Sequence, residues 1–248
     1  MNAAAGSPGA RTPGVAVIVP VLNEAAGIVA RLRDLVDAGF AEVIVVDGGS
    51  DDGTVDRIRT LNESLPAGSR TGGRVILLHA PRGRAVQMNC GAGVATADVL
   101  LFLHADTRLP PAAAAMVQES VCRGGEWGRF DVRLDGQPFP LRLIERVMNL
   151  RSALTGIATG DQAQFVRRDV FTMLNGFAPI PLMEDIELSR RLCRLARPVR
   201  IRVPVMSAAR RWLQGGIVRT VLRMWGLRFL YWAGIPPARL VRFYADVR

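Results

Sequence analysis

The chain has 248 residues, enough for one large domain or a domain with a small appendage. Hydrophobic residues make up 49% and charged residues 22%, a globular composition that excludes wholesale disorder. The net charge is +10, yet the longest stretch free of charge, Val170 to Met183, has 14 residues and two prolines, too short for a spanning helix.

The charge is unevenly distributed. Residues 1–186 hold 18 arginines against 20 acidic residues, while residues 187–248 hold 14 arginines against Glu187 and Asp246, a balance of +12. Such a segment either meets an anionic partner (nucleic acid, phospholipid headgroups or phosphate esters) or forms a solvated face in a lysine-free chain with an arginine habit. Cys90, Cys122 and Cys193 show no CxxC spacing, which speaks against a disulfide framework or structural zinc and suits a reducing cytosol. Residues 1–13 lack the basic-then-apolar layout of a secretory signal and read as a small-residue tail.

Val15 to Pro20 is a short β-branched run and predicts a buried strand. Asn23 offers an N-cap for a helix in which Ile28, Val29, Leu32, Leu35 and Val36 recur at helical spacing until Gly39. Glu42 to Val46 predicts a second buried strand, followed by the loop Asp47-Gly-Gly-Ser-Asp-Asp-Gly-Thr54 and a helix from Thr54 through Leu61. Arg74 to Leu78 is the third strand, Arg84 to Ala95 a helix, and Asp98 to Leu103 the fourth strand. Pro110 opens a further helix in its first turn. Alternation at about 30-residue spacing predicts right-handed βαβ units and a parallel sheet covered on both faces.

Beyond Ser120 the alternation ends. Trp127 to Leu134 reads as an edge or antiparallel strand, Leu141 to Leu154 as an amphipathic helix, and Gln162 to Arg167 as a short strand. Met183 to Leu195 reads as a helix, and Leu213 to Trp232 and Pro237 to Tyr244 as two more.

In open α/β sheets ligands sit outside the carboxyl ends of the strands. Four polar stretches fall there: Asn23-Glu24, Asp47 to Asp52, Ala80 to Arg84, and His104 to Thr107. His104 and Asp106, two apart on an extended chain, point the same way and can hold a divalent cation, or Asp106 can hold it alone while His104 orients a ligand. The plainer alternative is an Asp capping the next helix. Asp47, first after its strand, can accept hydrogen bonds from a ribose or a base, whereas Asp52 and Thr54 read as caps. Glu184-Asp185 fits the dipole of a helix start and equally fits a general base near a bound sugar.

Ile18-Val-Pro20 with Asn23-Glu24, Val46 to Thr54, Gly83-Arg-Ala, Leu103-His-Ala-Asp-Thr107 and Met183-Glu-Asp185 together resemble a family 2 glycosyltransferase of the GT-A fold, over residues 14–195. Ala209-Arg-Arg-Trp212 through Gly234 and Leu240 to Tyr244 are similar to a subgroup, the radical-SAM/selenodomain-associated or arsenosugar-type transferases. The resemblance implies an α/β, Rossmann-like, mostly parallel sheet flanked by helices, with a C-terminal helical extension. It implies a flexible tail at 1–13 and a GT-A catalytic domain at 14–205. Residues 14–107 would be the nucleotide-binding half and 108–205 the acceptor half, with a basic amphipathic extension at 206–248.

By the same resemblance, Glu24 and Asp47 contact the base and ribose, and Arg84 lies near the donor phosphates or base. Pro20, Asn23, Gly49, His104 and Ala105 line the nucleotide-sugar site. Asp106 is the carboxylate that binds Mn²⁺ or Mg²⁺ against the diphosphate, with His104 beside it as a metal ligand; Asp185 is the catalytic base and Glu184 its neighbour. Arg210, Arg211 and Trp212 resemble the arginine-tryptophan signature that approaches the diphosphate and acceptor. Two departures stand out: His104 occupies the place of the usual first Asp of DxD, and Gly48 that of the second Asp of the uridine loop.

The implied activity is an inverting, metal-dependent, hexosyltransferase-type transfer from a nucleoside-diphosphate sugar, a UDP-sugar by default, to the hydroxyl of a small or lipid-linked acceptor. Residues 217–229 set Arg219, Arg223 and Arg228 against Trp225, Leu222 and Phe229, a pattern that suits an anionic membrane interface, packing on the sheet, or a homodimer. The expected location is cytoplasmic, at the inner face of the membrane if that helix binds lipid. Two rival classes are weaker. A nucleotidyltransferase normally shows a glycine-and-lysine-rich activating loop, and this chain has no lysine. A nucleic-acid module has no zinc spacing or RNP-like strand here, so no specific nucleic-acid partner is expected.

Overall fold

The computed structural model describes residues 11–65, 75–136, 139–209 and 215–244. The first half follows the expected order: β1 (Val15–Val21), α1 (Ile28–Asp37), β2 (Glu42–Asp47), α2 (Thr54–Ser64), β3 (Val75–His79), α3 (Arg84–Val94) and β4 (Val99–Phe102). Every residue of β1 and β4 is buried, as uninterrupted apolar runs in a doubly covered sheet must be. β1 lies between β2 and β4, β3 flanks β2, and all three pairings are parallel.

Period-two alternation gives each sheet face its own core. Val15, Val17, Val19 and Val21 pack with Leu32, Leu35, Ile58 and Leu61 from α1 and α2. Ala16, Ile18, Ile44 and Val46 pack with Ala85 and Met88 of α3. Gly91, which weakens the helix signal of α3, is required there: a Cβ would lie 2.6 Å from Ile18 Cγ2. The glycine costs helix propensity and gains close approach to the sheet.

The second half is mixed. β5 (Thr107–Arg108), α4 (Ala113–Cys122), β6 (Trp127–Asp135), α5 (Phe139–Thr155), a 3-10 turn at Gly160–Gln162, β7 (Phe165–Arg167), α6 (Arg168–Met173), α7 (Glu184–Cys193), β8 (Val199–Ala208), α8 (Ile217–Trp232) and α9 (Pro237–Tyr244) complete the described chain. The eight strands run in the order β3-β2-β1-β4-β7-β6-β8-β5. β7 is antiparallel to β4 and β6, whereas β6 and β8 are parallel.

Three expectations are corrected here. β6 is interior rather than an edge, because β8, which the sequence did not announce, pairs along it with a register shift between Phe130 and Asp131. Its alternating charges are mutually neutralised. Arg129, only 1% exposed, donates to Asp131 at 2.6 Å, and Arg200 of β8 donates to both oxygens of the same carboxylate at 2.8 Å. The helix expected at Pro110 starts at Ala113, and the strand expected from Gln162 starts at Phe165 because Gly160–Gln162 curls into the 3-10 turn.

The C-terminal helices pack on the domain through small clusters, the larger at the start of α7. Leu227 and Leu240 bury against Leu182, Met183 and Ile186 at the start of α7, with Ile157 beside them. Arg190 of α7 stacks over the Tyr231 ring of α8 at 5.0 Å. The outward faces are apolar. On α5, Phe139, Leu143, Val147, Leu150 and Leu154 form one exposed stripe at spacings of four and three. On α8, Leu222, Trp225, Phe229 and Trp232 form another. Ile144 of α5 and Ile217 of α8 pack in one cluster, so the two stripes belong to neighbouring helices.

Candidate active site

The ends of β1 and β2 are tied into one loop system. Asn23 has φ 56°, a left-handed conformation that Asn tolerates. Its N–H donates to Ser50 Oγ at 2.9 Å, and its Oδ1 accepts from the Asp51 N–H at 3.0 Å. Asn23 is therefore a loop staple rather than the helix cap, and α1 starts later, after Gly27. Thr54 Oγ1 accepts the Glu24 N–H at 2.9 Å, and Asp52 accepts from the N–H groups of Ala25 and Thr54, both at 3.0 Å. Pro20 pairs with Val46 inside the sheet, one residue before the loops begin.

Asp47 is the anchor. It is 2% exposed, accepts from the Gly49 N–H at 2.9 Å and from the Ser50 N–H and hydroxyl, and faces His79 Nδ1 at 3.5 Å. Burial pushes its carboxyl pKa up, but the hydrogen bonds from Ser50 and Gly49 and the His79 contact outweigh this and hold it below the ordinary value. The carboxylate thus spends its acceptor capacity on shaping residues 49–50. Behind it, the buried Gln87 amide donates to Val21 O at 2.9 Å and Val46 O at 2.8 Å. A Cβ at Gly48 would meet that amide at 3.0 Å, so Gln87 takes the space that a side chain at 48 would need.

The ends of α3 and β4 meet the start of α7. Arg84, the first residue of α3, lies 3.4 Å from His104 Nε2 through Nη1 and 3.8 Å from Glu184 Oε1 through Nε. His104 Nδ1 faces Asp161 Oδ1 at 3.5 Å. The ring packs so tightly on Gly160 that a Cβ there would sit 2.2 Å from Nε2. The Gly160 N–H in turn donates to Asp185 Oδ2 at 2.7 Å, and the Ile186 N–H donates to Oδ1 at 2.7 Å. Met183, at φ 68°, delivers Glu184 and Asp185 to the helix start in a conformation that an L-residue holds only under constraint.

The two adjacent carboxyls differ. Glu184 is buried, and burial followed by the nearby Asp185 charge raises its pKa, against the opposing pull of Arg84 and His104. Asp185 is half-buried at the surface of the same cleft.

Asp106 lies in the turn between β4 and β5, half-buried, with one long contact from Thr107 Oγ1 at 3.4 Å; Ala105 is half-buried beside it. Arg31 of α1 lies close enough to feel Asp106 and Glu24; burial first and Arg108 second lower its pKa. No group of three or more His, Cys, Asp or Glu side chains able to hold a metal occurs among the described residues. Both His104 nitrogens face other partners, which leaves Asp106 as the carboxylate at this edge. One carboxylate suits a Mg²⁺-like ion that takes its remaining ligands from substrate phosphates and water. Arg210, Arg211 and Trp212 lie outside the described residues.

Asp161, Gly160 and Gln87 escaped the sequence reading. Asp161 follows a Thr-Gly pair with no strand before it, and nothing in its spacing marks it as a neighbour of residue 104.

Comparison with known proteins follows the same geometry. The glycosyl transferase family 2 model matches residues 16–173. An undecaprenyl-phosphate 4-deoxy-4-formamido-L-arabinose transferase from Aeromonas hydrophila is 31% identical over 116 residues, 44% of this chain and 34% of the relative. A PGL/p-HBAD biosynthesis glycosyltransferase from Mycobacterium bovis is 35% identical over 101 residues, 39% of this chain and 37% of the relative. The chain therefore spans about a third of the length of these curated relatives. Among solved structures, the mannosyltransferase PcManGT from Pyrobaculum calidifontis, in complex with GDP-Man and Mn²⁺, aligns with TM-score 0.60 at 23% identity, covering 80% of this chain and 57% of that one. TarS 1-349 from S. aureus, in complex with UDP, aligns with TM-score 0.62 at 16% identity, covering 79% and 60%. These likenesses establish the GT-A fold, and the match of the family model over most of the chain makes it a member of glycosyl transferase family 2.

Proposed function

We propose that the chain transfers a sugar from a nucleoside-diphosphate sugar, a UDP-sugar in the first instance, to an acceptor hydroxyl with inversion. The observation that carries this reading is Asp185. It is a half-buried carboxylate gripped by two backbone N–H groups and linked through Gly160 and His104 to the end of β4, two residues before Asp106. A carboxylate so held is oriented to take the proton of an attacking hydroxyl. Glu184, its pKa raised by burial and by the Asp185 charge, sits beside it facing Arg84. The loop shaped by Asp47, with Glu24 and Gly49, receives the base and ribose, and Arg84 meets the diphosphate.

Mn²⁺ or Mg²⁺ fits this chemistry with Asp106 as its protein carboxylate; when bound, such an ion neutralises charge on the departing diphosphate. Arg84, at the first turn of α3, adds fixed positive charge for the same leaving group. PcManGT with GDP-Man and Mn²⁺, and TarS with UDP, support a nucleotide-bound, metal-assisted donor site. The layout of tail (1–13), catalytic domain (14–205) and basic extension (206–248) belongs to the same proposal. So does the narrower likeness to the radical-SAM/selenodomain-associated or arsenosugar-type subgroup, which rests on sequence alone.

Thermal-shift screening of nucleoside diphosphates and diphospho-sugars, with and without Mn²⁺, tests the donor site, since a ligand of the native state raises the melting temperature by mass action. A Mn²⁺-dependent rise with one nucleoside diphosphate supports the reading; no rise with any of them refutes it.

A peripheral contact with anionic membrane, at the inner face of a cytoplasmic membrane, is the second part of the proposal. It is favoured by the exposed stripes of α5 and α8 and by the +12 balance of residues 187–248. No helix among the described residues is long and apolar enough to cross a bilayer. Sedimentation with anionic liposomes at low salt tests it, and a protein left wholly in the supernatant refutes it. Dimerisation through this face would bring two +12 segments together.

A further inference from the structure

Beside the base lie two arginines that the transfer mechanism does not use. Arg151 lies just before the last turn of α5, and Arg228 is in α8. Arg151 Nε and Nη2 and Arg228 Nε are buried atoms with no hydrogen-bond partner among the described residues. The cluster of Ile157, Met183, Ile186 and Leu227 gathers their neighbourhoods at the start of α7, where Asp185 sits. Burial and the nearby Arg228 charge push Arg151 down to about 10, with Asp185 opposing.

Among the described residues, neither of the local carboxylates is hydrogen-bonded to Arg151 or Arg228. Asp131 is shared by Arg129 and Arg200, and Arg129 also reaches Phe130 O and Asn149 O. Asp185 accepts from Gly160 and Ile186. Two guanidiniums close enough to oppose each other, with buried unpartnered nitrogens, carry a desolvation and repulsion cost that a bound anion relieves most fully. Guanidinium forks match phosphate oxygens. Both residues are half-buried overall, while the three unpartnered nitrogens are themselves buried, so an anion must insert between α5 and α8 to meet them. Glu184 neighbours Arg84 and His104 on the donor side, whereas Asp185 neighbours Arg151 and Tyr231.

We propose that Arg151 and Arg228 form a cradle for a phosphate group carried by the acceptor, next to the hydroxyl that Asp185 deprotonates. Its role as an acceptor subsite rests on the transferase reading above. The phosphate belongs either to a soluble phosphate ester or to a lipid whose tail lies along the stripes of α5 and α8.

The test is calorimetric titration of glycerol 3-phosphate into the full chain, alone and saturated with UDP and Mn²⁺, with parallel sedimentation on phosphatidic-acid and phosphatidylcholine vesicles. Arg151→Gln and Arg228→Gln are each expected to weaken the phosphate interaction by about tenfold or more. They should leave UDP affinity unchanged, and Arg59→Gln, which removes an exposed charge from α2, away from the α5/α8 face, should match the parent. Binding of glycerol 3-phosphate identifies a soluble source, and retention on phosphatidic acid alone identifies a lipid; either supports the cradle if both variants lose it. Phosphate binding that UDP displaces, or that Arg59→Gln weakens as much as Arg151→Gln, overturns the proposal. Failure of the parent to bind UDP would strike the donor reading instead, since the titration without nucleotide still reads the arginine pair. If Arg151→Gln does not fold, Arg228→Gln carries the test.

Discussion

The two halves of the sheet treat polar groups in opposite ways. Around β1 and β2, Asn23, Asp47, Ser50, Asp52 and Thr54 satisfy one another through short local hydrogen bonds, so that the strand-end loops are set before any ligand arrives. Around α5, α7 and α8, arginine nitrogens stay buried without partners and large apolar side chains face outward. Apart from Arg31 Nη1 of α1, which is also buried without a partner, the first region is complete in itself, and the second is complementary to something else. A closed polar network gives a rigid, preorganised site, whereas unsatisfied charge and exposed apolar area mark surfaces whose energy is recovered on binding.

The largest effect expected from breaking this contrast is at the junction of the halves. Asp185→Asn should lower transfer by about a thousandfold, as loss of a general base does, while the circular dichroism spectrum and donor affinity stay intact. Near-full turnover of that variant would remove Asp185 from its role. Asp106→Ala, on the donor side, should cost about a hundredfold in turnover at saturating donor concentrations and abolish the Mn²⁺-dependent donor binding seen at calorimetric concentrations. In the second half, the double substitution Trp225→Ser with Phe229→Ser should weaken retention on anionic vesicles by about tenfold with little change in melting temperature, because both rings are already exposed.

The smallest effect concerns pH and separates two of the buried carboxyls, Asp47 and Glu184, by sign. Asp47 is held below its ordinary value, so it stabilises the fold at neutral pH and loses that contribution as pH falls below about 4 through its lowered folded value. Glu184 is raised, so the folded state gains stability as pH falls through its raised value and is penalised above it. Glu184→Gln should therefore raise the melting temperature at pH 8 by a few °C, on the order expected for about 1 kcal/mol, and the gain should vanish in acid. A gain of equal size at pH 4 would contradict the sign.

The first half was legible because its signals are local. Uninterrupted β-branched runs marked β1 and β2, and the strand-end rule then singled out Asn23, Asp47 and Asp106 without knowledge of any contact. The second half hid its organisation in long-range pairs. β8 reads Val199-Arg-Ile-Arg-Val-Pro204, charged and proline-interrupted, and its strand character depends on Arg200 meeting Asp131 sixty-nine residues away. β6 looked half-solvated for the same reason, since Arg129 and Asp131 become buried only once they pair. Asn23 was read as a cap because caps and left-handed staples favour the same residue types. Asp161 and Gly160 became functional neighbours only when the fold set the 3-10 turn against the His104 ring.

Calorimetric titration of UDP, GDP and their sugar conjugates into the parent chain and Asp106→Ala, with and without Mn²⁺, reads the donor site itself. The expected result is a single site that needs Mn²⁺ in the parent and disappears in Asp106→Ala. Absence of nucleotide binding in the parent, or metal-independent binding that Asp106→Ala leaves untouched, would contradict the donor site built on β1, β2 and β4.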